Sequence, residues 1–160
     1  GWGATERIVL FNAGLSPEVK RLDLAQAVVK KAEQLCGPIR LVLLDGLVPH
    51  AMVATMMNGA DCLLLTSDWE GSPTIVQEAM ACNLPVLSVD VGDVRERLAA
   101  VTPSGIVGRD PAAMARALAE LLARPARSNG RDFITAVDQH HIARQTLAVY
   151  HEALGRRDRC

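Results

Sequence analysis

Five short apolar runs, each followed by a turn and a helical stretch, constrain this chain more than any other feature. They lie at residues 7–12, 39–44, 60–66, 85–89 and 105–107. Most are apolar throughout rather than alternating, which reads as strands buried on both faces. Helical stretches separate them at 22–35, 49–58, 74–81 and 94–99, while 13–20 read as a loop with a Ser16-Pro17 turn. Alternation of strand and helix predicts an α/β fold, a Rossmann-like doubly wound parallel sheet. Right-handed crossovers leave the strand C-terminal ends on one rim, where ligands of such sheets bind. Asn12, Asp45, Thr66 and Asp90 fall on that rim. Asp110 then caps a helix opened by Pro111 and running to about Ala123, and two further helices follow near 131–137 and 139–154. A chain of 160 residues fits one domain, and 49% hydrophobic content supplies its core.

The richest stretch follows the third run: Glu70-Gly71-Ser72-Pro73-Thr74-Ile75-Val76-Gln77-Glu78. Ser72 is suited to cap a helix and Pro73 to open it. The N–H groups of the helix's first turn lack intrahelical partners and face the rim, which suits a phosphate. Glu70 enters this crevice from the loop. Glu78 enters from the second turn, on the same face as Thr74. One carboxylate near the phosphate end and one further along are placed to grip two sugars of a single ligand.

Glu70 and Glu78 resemble the Glu-x7-Glu motif of the retaining family-4 glycosyltransferases, and the run from Leu64 to Val86 is similar to that family throughout. There the motif lies in the C-terminal, donor-binding half of a two-domain (GT-B) enzyme. The resemblance implies that Glu78 holds the nucleotide ribose and Glu70 touches the donor sugar. It also implies that the backbone from Gly71 through Ser72, Pro73 and Thr74 to Ile75 meets the diphosphate and sugar. Lys20, in the run Leu15-Ser16-Pro17-Glu18-Val19-Lys20, matches a family lysine that neutralises the diphosphate. A leaving diphosphate needs such positive charge. Glu70 and Lys20 are thus the expected catalytic pair. The family's companion arginine is absent: Gly14 stands there, with Arg21 a poorly placed substitute. The family also carries more sequence between the second and third strands, a region that commonly contacts the base.

The implied reaction transfers a hexosyl unit from a nucleoside diphosphate sugar to a glycan or lipid-linked acceptor, as in bacterial polysaccharide biosynthesis. The acceptor is expected from an N-terminal domain that precedes this one in the family, and this chain alone is expected to bind without turnover. Two alternatives stay open: a non-catalytic nucleotide-binding module, which Gly14 favours, and a GT-B-like sugar-nucleotide epimerase domain, against which Glu70 argues. A receiver-type signalling domain ranks last, because Asn12-Ala13-Gly14 lacks an acidic pair.

Composition sets further bounds. The net charge of −1, with two Trp, one Tyr and two Phe, argues against nucleic-acid binding. No apolar run approaches the ~20 residues of a membrane-spanning helix, and Gly1-Trp2-Gly3 lacks the features of a signal peptide. A cytoplasmic setting follows, with the basic tail from Gly155 to Cys160 leaving contact with the inner face of a membrane open. Cys36, Cys62, Cys82 and Cys160 have no paired spacing and read as small buried hydrophobes in a reducing compartment. No cofactor or metal is expected. Asp68-Trp69-Glu70 only superficially resembles a metal-holding Asp-x-Asp, and Asp68 is expected to cap a turn. Asp93, in the turn Val91-Gly92-Asp93, is expected to line the rim or cap a helix. The four histidines show no ligand spacing and default to surface or capping roles.

Overall fold

The structure, a computed structural model, describes residues 6–14, 16–134 and 139–157. Gly1-Trp2-Gly3, Leu15, residues 135–138 and the tail end at 158–160 lie outside the described residues. Five strands form one all-parallel sheet: β1 (Arg7–Asn12), β2 (Ile39–Leu44), β3 (Cys62–Leu65), β4 (Val86–Ser88) and β5 (Gly105–Ile106). Their order across the sheet is β2-β1-β3-β4-β5, with Val9 opposite both Leu41 and Cys62. The doubly wound α/β expectation holds. β3 is buried at every position because sheet neighbours and helices cover it on all sides.

The helices are α1 (Pro17–Lys20), α2 (Leu22–Cys36), α3 (His50–Gly59), α4 (Thr74–Ala81), α5 (Val94–Leu98), α6 (Pro111–Ala123) and α7 (Gln139–Arg157). In α2, Leu24, Ala25, Val28, Val29 and Ala32 are buried at helical spacing, and this face packs against α6. α6 starts as the sequence predicts: Asp110 Oδ1 accepts the Ala113 N–H at 2.7 Å, and Pro111 opens the first turn. With right-handed crossovers the strand order puts α3, α4 and α5 on the face opposite α2.

Three expectations change. The loop at 13–20 contains the one-turn helix α1, closed by Arg21 at φ +58°. The described part of the stretch near 131–137 is a 3-10 turn, Gly130–Phe133, not an α-helix. α7 continues past 154 to Arg157. None of the described helices is long and apolar enough to cross a membrane.

The chain after α6 folds back onto the α4–β4 connection. Ser128 N–H bonds Asn83 O at 2.7 Å, and Arg131 N–H bonds Asn83 Oδ1 at 2.8 Å. Gly130 is pressed on α4 so closely that a Cβ would stand 2.7 Å from Met80 Cα. Only glycine fits that approach.

Candidate functional site

Two hydroxyl residues follow β3 and organise the rim above it. Thr66 and Ser67 are fully buried, so their hydroxyls need partners. Thr66 Oγ1 lies 2.8 Å from Lys20 O and 3.0 Å from Arg21 O, placing its hydrogen between the carbonyls at the α1–α2 junction. Asp68 N–H bonds Val19 O at 2.9 Å. These contacts fasten α1 over the β3 rim and aim Lys20 at Glu70. Lys20 Nζ lies 2.6 Å from Glu70 Oε1, and Ser67 Oγ donates to the same oxygen at 2.7 Å. The side chains are 19% and 12% exposed, so this pair is largely withdrawn from water.

The loop from Glu70 to α4 is held from behind. Gly71 O accepts the Asp93 N–H at 3.1 Å. Gly92 sits at φ +55°, and a Cβ there would overlap Gly71 O and stand 3.0 Å from Glu70 O. This approach is available to glycine alone. Arg97 bonds Asp93 Oδ2 at 2.7 Å and Ser72 Oγ at 2.9 Å. Burial pushes the Asp93 carboxyl up, but Arg97 and the neighbouring Ser72 hydroxyl more than offset it and hold it below its ordinary value. Asp93 makes no capping bond with its side chain; the guanidinium takes its carboxylate instead.

Ser72 does not cap α4. Pro73 occupies the N-cap position, and the Ser72 hydroxyl turns outward to Arg97 and to Gln77 Nε2 at 3.0 Å. A charged donor outcompetes a backbone amide for that oxygen. Val76 N–H already bonds Pro73 O. The amides of Thr74 and Ile75 therefore stand as donors at the open end of the helix.

Glu78 stands apart from the Lys20–Glu70 pair. It is half-buried on the second turn of α4, in the wall of a cleft of about 160 Å³ between α3 and α4. His50, Val53, Ala54, Met57, Ala81 and Cys82 line the rest. His50, expected only at the surface or in a cap, thus shares a cleft with Glu78.

Asp68 and Glu70 do not form a metal-like acid pair. Asp68 Oδ1 lies 3.2 Å from Arg21 and 3.6 Å from Arg109, while Glu70 is matched by Lys20. Asp68 is thus an ion-pair partner rather than a turn cap. Among the described residues no group of three or more His, Cys, Asp or Glu is placed to hold a metal. Arg21 is drawn away from Lys20: Asp23 first, then Asp68, bind it and raise its pKa. Gly14 sits at φ +52° and puts no cation beside Lys20. Cys62 is fully buried, and burial pushes its thiol up to about 12.

Sequence reasoning missed Ser67, Arg97 and Arg109. Arg109 donates to Ser67 O at 2.5 Å and Asp68 O at 3.0 Å, bracing the loop that carries Glu70. Ser67 had a visible sign, a pair of small hydroxyl residues at the end of an apolar strand. Arg109 acts from more than forty residues away and had none; Arg97 stands four residues from Asp93, a legible ion-pair spacing, and only its bond to Ser72 was hidden.

The profile of the glycosyl transferases group 1 family matches residues 6–124. The chain belongs to that family. Among curated relatives, it is 34% identical over 90 residues to the 2-deoxystreptamine N-acetyl-D-glucosaminyltransferase of Streptomyces fradiae, covering 56% of this chain and 21% of that protein. It is 33% identical over 110 residues to the D-inositol 3-phosphate glycosyltransferase of Frankia alni, covering 68% and 27%. The chain thus spans about a quarter or less of these relatives' length. The group 1 chain also superposes on solved structures. Sucrose-phosphate synthase from Thermosynechococcus elongatus matches with a TM-score of 0.71 at 23% identity, covering 96% of this chain and 47% of that one. TarM of S. aureus, solved with Fondaparinux, alpha-GlcNAc-glycerol and UDP, matches with a TM-score of 0.61 at 17% identity, covering 81% and 31%. These likenesses establish the fold, that of GT-B glycosyltransferases.

Proposed function

We propose that this chain is the donor-binding part of a retaining, family-4 type glycosyltransferase. It receives a nucleoside diphosphate sugar whose hexosyl unit passes to a glycan or lipid-linked acceptor. The observation that carries the reading is the Lys20–Glu70 pair beside the open end of α4, with Glu78 one helical turn further than Thr74. In this reading the diphosphate lies over the amides of Gly71 to Ile75 and takes a charge-assisted bond from Lys20. Glu70 accepts bonds from the hexose, and Glu78 from the ribose diol, with the base in the α3–α4 cleft. Lys20 and the helix end meet the charge that grows on the leaving diphosphate, so no metal ion is needed.

The 160-residue stretch binds donor without turning it over, because alignment of two substrates and exclusion of water need a second wall. The acceptor meets that second domain, in the cytoplasm at the inner face of a membrane where lipid-linked acceptors are presented. A second reading, a nucleotide-binding module without transferase function, is favoured by Gly14, which leaves Lys20 without a companion cation. Calorimetry with UDP, GDP and ADP, each with EDTA or magnesium, tests the first claim; UDP comes first because TarM was solved with it. Binding of at least one of them in EDTA is expected, and strict magnesium dependence for all three overturns the metal-free reading. Product analysis with labelled nucleotide sugars, with and without an N-terminal partner domain, separates transferase from binding module.

A further inference from the structure

Arg127 lies far along the chain from every residue named in the donor site, yet it touches both walls of the Glu78 cleft. It lies on the surface, in the segment after α6. Its NH1 bonds Ala60 O at 2.8 Å, and its NH2 bonds Met57 O at 3.0 Å and Cys82 O at 2.7 Å. Met57 belongs to α3, Ala60 follows it, and Cys82 caps α4. All three carbonyls lie at helix C-terminal ends, where acceptors go unmet and positive charge is favoured. Met57 and Cys82 also line the cleft, from opposite sides. One nitrogen thus bridges the two walls, and the rigid guanidinium plane fixes how far apart its acceptors sit.

We propose that Arg127 is a positioning residue that sets the spacing of α3 against α4, and with it the width of the cleft that takes the nucleoside. The nucleoside part rests on the donor-binding reading above; the clamp itself does not. Lysine keeps the charge but has no planar fork, so Arg127→Lys isolates geometry from electrostatics. The retained charge matters because burial raises the Cys82 thiol while Arg127 draws it down.

The test uses the full chain in two arms. The first measures iodoacetamide alkylation of Cys82 by peptide mass spectrometry, with the half-buried Cys36 as internal reference. Arg127→Lys is expected to speed Cys82 about fivefold relative to Cys36, through freer access. The second measures calorimetric affinity for UDP and for inorganic pyrophosphate, which has no nucleoside to enter the cleft. UDP is expected to weaken about tenfold, with pyrophosphate unchanged. An unchanged Cys82 rate overturns the clamp. Equal loss of UDP and pyrophosphate overturns the positioning role in favour of general destabilisation. A parent chain that binds no nucleotide refutes the donor reading, and the alkylation arm then decides the clamp alone.

Discussion

Lys20 and Glu70 are already joined, Nζ to Oε1 at 2.6 Å, with Ser67 on the same carboxylate oxygen. The lysine proposed to meet the diphosphate is therefore engaged by the glutamate proposed to meet the sugar. On the proposed reading, an arriving donor draws Lys20 toward its phosphates, and its hexose hydroxyls then replace the ammonium at Glu70.

Glu70→Gln separates these roles. Losing the charged acceptor weakens a nucleotide sugar by about tenfold, the value of one charge-assisted bond. The bare diphosphate binds as well as before or a few-fold tighter, because Lys20 is released and a like charge removed. Calorimetry with UDP and a UDP-hexose reads both. Abolished UDP binding would sink this division of labour.

Glu78→Gln weakens nucleotide and nucleotide sugar alike, by about tenfold or more, since both carry the ribose. Gln preserves size, so thermal melts of the variant should match the parent. Unchanged affinity for both ligands counts against Glu78 as the ribose partner.

Gly92→Ala forces a Cβ onto Gly71 O at a positive φ. Strain of this kind costs about 1–3 kcal/mol. Urea unfolding should show a lower midpoint, and nucleotide-sugar affinity should fall because the Glu70–Gly71 segment must shift. A midpoint equal to the parent's contradicts the close approach.

Asp93 predicts an acid-limb effect. Its folded pKa lies below the unfolded value of 3.8. The stability it contributes is fully present above about pH 4 and is lost as pH falls through the folded value. Asp93→Asn removes that contribution, so its stability curve is flatter than the parent's below about pH 4. Parallel acid limbs in urea titrations would rule this out.

The sequence disclosed what depends on neighbours in the chain. Apolar runs gave the strands, and Asp110-Pro111 gave the start of α6 to the residue. Lys20, Glu70 and Glu78 stood out in the sequence as candidate residues through the family resemblance, but not the bond joining two of them, because Lys20 and Glu70 meet only once α1 is fastened over β3. The Ser72 cap failed for a related reason. Local rules favour serine before a helix, and nothing local reveals Arg97, which competes from 25 positions away. Arg109 and Arg127 were invisible on the same ground: a surface arginine and a carbonyl clamp look alike until the tertiary fold exists.

The fold-back after α6 separates two boundaries that are easily taken for one. The family match ends at residue 124, yet Arg127, Ser128, Gly130 and Arg131 tie that later segment to α3 and α4. A chimera joined at residue 124 would strip three helix-end carbonyls of their donor and bare the Met80 side of α4. A graft of this unit onto another protein must carry the chain at least through Phe133. The matched unit and the transplantable unit differ in length, and Arg127 marks the difference.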